Sequence, residues 1–249
     1  MKKMILLIAG MFLFSAAYAA ENTLRIYLAA GMNPVFDLLK EEFKKETGIT
    51  IDVDSAGSGV LITRAREDKD ADLFIPADGW YLDQLNEKTG LIESKSTIAY
   101  FVPVIIVQKG NPKKVAGLQD FLRDDIIVGL GREEACTIGK KSTELFKKND
   151  IDRKKIRNAK ESFTVNELGV WVEMKNVDAA IVWDAIAENF SKGVEVIRIP
   201  KDKNLVTEVV AGIMKTSKNK ASAQKFIDFL KSEKGKKILK DKGYRTEAP

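Results

Sequence analysis

Two spacings of apolar residues take turns along this chain from residue 24 onward: alternation with period two, then recurrence at three and four. Leu24–Ala29 (LRIYLA) reads as a strand that ends at the small residues Ala30-Gly31-Met32. Asn33 and Pro34 read as an N-cap and a first helical position. Val35, Phe36, Leu38, Leu39 and Phe43 then mark the buried stripe of a helix that stops at Gly48. Ile49, Ile51 and Val53 alternate, Ser55-Ala56-Gly57-Ser58-Gly59 follows, and Val60, Leu61, Ile62 and Ala65 return to helical spacing before the apolar Ala71–Ile75. Strand, small-residue turn, helix, strand is the order of a βαβ unit.

The same device recurs downstream. Ile126–Val128 reads as a strand running into Gly129-Leu130-Gly131, and Cys136-Thr137-Ile138-Gly139 opens a helix carrying Leu145 and Phe146. Phe163-Thr164-Val165-Asn166 opens another, with Leu168, Trp171 and Val172 inward, followed by a strand over Ala179–Trp183 and a helix from Asp184. Val194–Ile199 and Leu205–Ile213 read as strands, and one C-terminal helix holds Ala223, Phe226, Ile227, Phe229, Leu230, Ile238 and Leu239. Between Ile98 and Gln108 the run is almost wholly apolar, as in a strand buried on both faces. Pro103 interrupts it, marking an edge, a bend or a crossing between domains. Strands alternating with helices predict an α/β fold with mainly parallel sheets, whose ligands sit at strand carboxyl ends against helix N-termini. Glycine and serine at such corners let backbone N–H groups approach a small anion.

Composition removes several chemistries. There is no His among the 249 residues, so Ser-His-Asp and Cys-His arrangements and the usual His-containing metal sites are impossible. The one Cys, Cys136, forms no intrachain disulfide and reads as a small packed residue in preference to a nucleophile. Lys2 and Lys3, the apolar run Met4–Phe14 and Ala17-Tyr18-Ala19 read as a signal peptide over residues 1–19, with the mature chain starting at Ala20 in the periplasm. Removing two lysines from the 41 Lys and Arg leaves a surplus of three over the 36 Asp and Glu, scattered over helix faces. That is no footprint for nucleic acid. Asp78 and Asp184, near strand ends, read as helix caps or as acceptors facing a protonated anion, the first being the commoner use.

AAGMNP, SAGSGVLITR, ADLFIPAD, VQKGNPK, ACTIGK and VDAAIVWDAIA, in this order and spacing, resemble the periplasmic molybdate-binding proteins of ATP-driven importers. The resemblance implies a two-lobed type II periplasmic-binding-protein fold, each lobe a mainly parallel sheet flanked by helices, with ligand in the inter-lobe cleft. It implies that residues 20–104 and 205–249 form lobe 1 and 105–204 lobe 2. It further implies a monomeric, non-enzymatic receptor that takes a small oxyanion, molybdate or tungstate, to an ABC permease, with no cofactor or resident metal. Carried over by position, Ser58 is the binding serine, and Ile138 and Val165 donate backbone N–H groups; Gly31, Met32, Gly59 and Trp183 complete the expected set. Gly31 stands where many members have serine, and Trp183 where they have a ligand-contacting tyrosine. Each lost hydroxyl removes a contact worth about 0.5–1.5 kcal/mol, so sulfate or phosphate stands as the alternative cargo. A secreted enzyme on the same fold is disfavoured by the absence of His.

Overall fold

The computed structural model describes residues 23–67 and 70–249; the signal-peptide reading falls outside the described residues. Thr23–Ala29 (β1), Thr50–Ala56 (β2), Leu73–Ile75 (β3), Ile92–Phe101 (β4) and Thr207–Met214 (β10) form one five-stranded sheet in the order β2-β1-β3-β10-β4. Pro103–Gln108 (β5), Val128–Gly131 (β6), Ala159–Ser162 (β7), Ala179–Trp183 (β8) and Val194–Arg198 (β9) form the other, in the order β7-β6-β8-β5-β9. The architecture is the predicted two-lobed α/β fold. Both sheets are mixed: β1 runs parallel to β2 and β3, and β6 to β7 and β8, whereas β10 and β5 run antiparallel to both of their neighbours. The antiparallel strands are the ones that enter or leave a lobe at a crossing. Alternating strand and helix signals reveal crossover units and say nothing of these.

Helices cover the sheets: Asn33–Thr47 (α1), Ser58–Glu67 (α2), Trp80–Thr89 (α3), Thr137–Lys148 (α4), Val165–Glu173 (α5), Asp184–Asn189 (α6), Lys220–Lys231 (α7) and Glu233–Asp241 (α8). Of the predicted stripe of α1, Val35, Phe36, Leu39 and Phe43 are buried and Leu38 is exposed, and Phe43 meets Phe226 of α7 edge-on with centroids 5.0 Å apart. Gly48 ends α1 in the left-handed region at φ 72°, where glycine carries no Cβ penalty. Asn33 is not the N-cap. A 3-10 turn over Ala30–Met32 starts the helix earlier, and the Asn33 side chain instead accepts the Ser55 hydroxyl at 2.7 Å. The single predicted C-terminal helix is two, because Ser232 leaves helical geometry and caps α8 by accepting the Gly235 N–H at 3.1 Å.

Pro103 marks a crossing. Val102 separates β4 in the first sheet from β5 in the second, and Pro103 pairs with Trp183 at the start of β5, where a missing N–H is tolerated. Residues 199–206 cross back. Asn204 binds the two crossings together by donating to the Pro103 carbonyl at 2.9 Å. The C-terminal tail braces the same region: Tyr100 N–H donates to the Arg245 carbonyl at 2.8 Å, and the Arg245 guanidinium meets Asp184 at 2.6 Å.

Within the first lobe, Asp72 is a buried hub. It accepts the Arg25 N–H at 2.9 Å, the Ser217 hydroxyl at 2.6 Å and the Asn219 amide at 3.3 Å. Asp72→Ala would strand these donors, so thermal unfolding should show a loss of about 1.5 kcal/mol, roughly 3–6 °C in a chain of this size.

Candidate functional site

The small-residue corners meet between the lobes. Ala29-Ala30 at the end of β1, Gly57-Ser58 after β2 and Ala77 after β3 face Cys136-Thr137-Ile138 at the start of α4, Thr164-Val165 at the start of α5, and Trp183 at the end of β8. They line a cavity of about 10 Å³, room for roughly one water. No lining residue carries a charge. Thr137, Ile138 and Val165 lie in first helical turns, where N–H groups have no intrahelical acceptor. Donors dominate this wall.

Ser58 stands at its centre, 1% exposed. Its hydroxyl oxygen accepts the Ala77 N–H at 3.1 Å from its own lobe and lies 2.9 Å from the Thr137 hydroxyl, which donates to it from the other. Backbone meets backbone beside this pair: the Gly59 N–H donates to the Ala135 carbonyl across the cleft at 2.9 Å. A Cβ on Gly59 would overlap the Glu134 carbonyl, and one on Gly57 the Ala135 carbonyl, both nearer than the 3.0 Å real Cβ atoms keep. A third bridge runs from the Asn166 amide to the Ala30 carbonyl at 2.9 Å.

Of the residues expected from sequence, Ser58, Ile138, Val165 and Trp183 line the cavity. Gly31 lies alongside. A Cβ there would sit 3.4 Å from both the Trp183 ring and the Val165 side chain, so the indole occupies the space a longer side chain would reach. Trp183 is itself stacked on Phe101 with centroids 5.1 Å apart and planes 7° from parallel. The Gly31 carbonyl is held by the Tyr244 hydroxyl at 2.7 Å. Met32 is buried in the core and outside the cavity lining, and the Gly59 N–H is taken by Ala135. Thr137 was not foreseen. A threonine at a helix start reads from sequence as cap chemistry, and nothing local reveals that its hydroxyl faces Ser58.

The expected capping role is not what the two aspartates play: Gly79 holds the N-cap position of α3 and Trp183 that of α6, and each aspartate makes a local bond beside it. Asp78 accepts the Trp80 N–H at 2.9 Å at the start of α3, and Asp184 accepts the Ala185 N–H at 3.0 Å at the start of α6. Neither lines the cavity. Burial works against the Lys141 ammonium, but the Asp78 and Glu144 carboxylates outweigh it and hold its pKa above the ordinary value. Burial pushes the Cys136 thiol up to about 11, so it is protonated near neutral pH and a poor nucleophile.

A family model described as bacterial extracellular solute-binding protein matches residues 24–245. The chain belongs to that family. A putative binding protein of Haemophilus influenzae is 27% identical over 248 residues, covering 98% of each chain. The molybdate-binding protein ModA of Escherichia coli is 26% identical over 245 residues, covering 92% of this chain and 91% of that one. Among solved structures, the substrate-binding domain of a putative molybdenum ABC transporter from Clostridium difficile superposes with a TM-score of 0.68 at 25% identity, over 91% of this chain and 99% of that one. The sulfate-binding protein SubI of Mycobacterium tuberculosis superposes with a TM-score of 0.79 at 18% identity, over 92% of this chain and 88% of its own, and shares the fold.

Proposed function

We propose that this protein is the periplasmic receptor of an ABC importer, a monomer that captures molybdate or tungstate between its lobes and presents it to a membrane permease. The reading is carried by one observation: the cleft is walled by two facing hydroxyls and first-turn N–H groups, without a charged side chain among the lining residues. Such a wall suits a fully deprotonated anion, which only accepts hydrogen bonds. A carboxylate in the wall would penalise a dianion by desolvation and repulsion, and Asp78 at the rim is committed to Lys141 at 2.8 Å. Hydrogen phosphate, which must place a proton on an acceptor, finds no carboxylate among the lining residues. The names of the Escherichia coli and Clostridium difficile proteins support the choice of molybdate.

Cargo enters by parting the lobes. The direct Ser58–Thr137 contact gives way, and each hydroxyl turns to an anion oxygen; closure about the hinge then completes the donor shell. The remaining expected contacts are the N–H groups of Gly31, Ile138 and Val165, with Trp183 as the apolar wall. This is a binder, with no reaction assigned to it.

Isothermal titration of residues 20–249 with molybdate, tungstate, sulfate and phosphate tests the proposal. Tight one-to-one binding of the first two, weak binding of sulfate and silence toward phosphate are expected. Sulfate bound more tightly than molybdate would reassign the cargo, and silence toward all four would remove the oxyanion reading.

A further inference from the structure

Outside the cavity lining, the second turn of α4 grips the first lobe. Lys141, on the same helix as Thr137, sets its Nζ 2.8 Å from Asp78 Oδ2 and 2.9 Å from Glu144 Oε2. The Lys141 and Asp78 side chains are only 16% and 13% exposed. Beside them Lys140 lies over the Trp80 ring, Nζ 4.4 Å from the centroid. Asp78 and Trp80 belong to the short stretch after β3 whose Ala77 N–H holds Ser58. One helix of the second lobe therefore meets that stretch of the first through an ion pair and a cation–π contact, and the adjoining Ser58 through the Ser58–Thr137 hydroxyls.

We propose that Asp78 and Lys141, supported by Lys140 on Trp80, form a rim latch that holds the lobes together and sets how long cargo is retained. The residues are positioning residues; neither touches the cavity. Asp78 suits this role because its two oxygens are divided, Oδ1 to the Trp80 N–H that fixes it on α3 and Oδ2 to Lys141 across the cleft. A pair this shielded from water is screened less than an exposed one. It forms only when the lobes meet, so its free energy enters the closed state alone and raises affinity without a contact to the anion.

The alternative physical account, a simple field effect of two charges near an anion site, predicts the opposite sign for one variant. Removing the Asp78 charge would then strengthen anion binding, and removing the Lys141 charge would weaken it. A latch predicts that both weaken it. Asp78→Asn is the right variant, because the asparagine Oδ1 still accepts the Trp80 N–H and the fold is left standing.

The test uses the mature chain and the variants Asp78→Asn, Lys141→Met and their combination, with molybdate as the probe. The dissociation constant is expected to rise about fivefold in each single variant, the equivalent of one ion pair, and no further in the double variant. Tighter molybdate binding by Asp78→Asn would overturn the latch in favour of the field effect. This arm rests on the oxyanion reading, so a second measurement is independent of it. Spin labels at the exposed positions Lys88→Cys and Lys192→Cys, one on each lobe, report the inter-lobe distance without any anion. Both latch variants are expected to shift that distribution to longer distances. An unchanged distribution in both would overturn the latch, and molybdate silence accompanied by a shifted distribution would remove the cargo assignment alone.

Discussion

Gly59→Ala is expected to abolish tight oxyanion binding while leaving the fold intact or slightly more stable. Gly59 lies in the first turn of α2 and is not among the glycines with positive φ. Alanine at such a position is worth up to about 1 kcal/mol in helix propensity. The three atoms nearest the new methyl all belong to the second lobe. The obstacle is across the cleft, where the new Cβ would overlap the Glu134 carbonyl oxygen and disturb the Gly59–Ala135 hydrogen bond. Backbone cannot step aside as the end of a flexible side chain can. The lobes would stop short of closure, and the donors of α4 and α5 would stay out of reach of an anion held at Ser58. Titration with molybdate should show affinity reduced on the order of 100-fold or more, equivalent to about 3 kcal/mol. Thermal unfolding without anion should show no loss. Wild-type affinity in this variant would mean that the functional closed form does not bring Gly59 against Glu134.

Ser58→Ala is expected to weaken binding by a factor of roughly 10–100. The hydroxyl joins both lobes at the cavity, accepting from Ala77 and from Thr137. Facing an anion it would donate a charge-assisted hydrogen bond, worth about 1.5–3 kcal/mol. Its loss also leaves the buried Ala77 N–H without that acceptor. Part of the effect therefore belongs to the first lobe alone, and melting temperatures measured with and without molybdate separate the two contributions. Anion at a thousand times the wild-type dissociation constant adds about 4 kcal/mol to wild-type stability. A thirtyfold weaker variant would keep only about half of that increment. An undiminished ligand-induced shift would place the binding centre away from Ser58.

Much of the fold was legible because its signals are local. The apolar stripe of α1, the alternation in β1 and β2, the glycine stops and the two-faced burial of β5 each report burial relative to an element's own axis. Pro103 was legible as a break, and the sheets decided among edge, bend and crossing. β7 was not legible, because AKES offers no apolar period and only Ser162 of its four residues is buried. The division of the C-terminal helix depended on one serine whose cap forms in place of a continuing turn.

For the site, the chain by itself determined the kinds of group available: small residues at strand-to-helix corners, neutral donors, no histidine and one inert thiol. Those are properties of residue type and short spacing, and no packing is needed to read them. Only the tertiary structure decided which corners meet. It put Thr137 opposite Ser58, gave the Gly59 N–H to Ala135, set Trp183 in the space beside Gly31 and brought Lys141 to Asp78. Each of these pairs joins segments of different lobes. Their approach is fixed by the hinge and the packing of two sheets, neither of which leaves a period or a motif in the residues that finally touch.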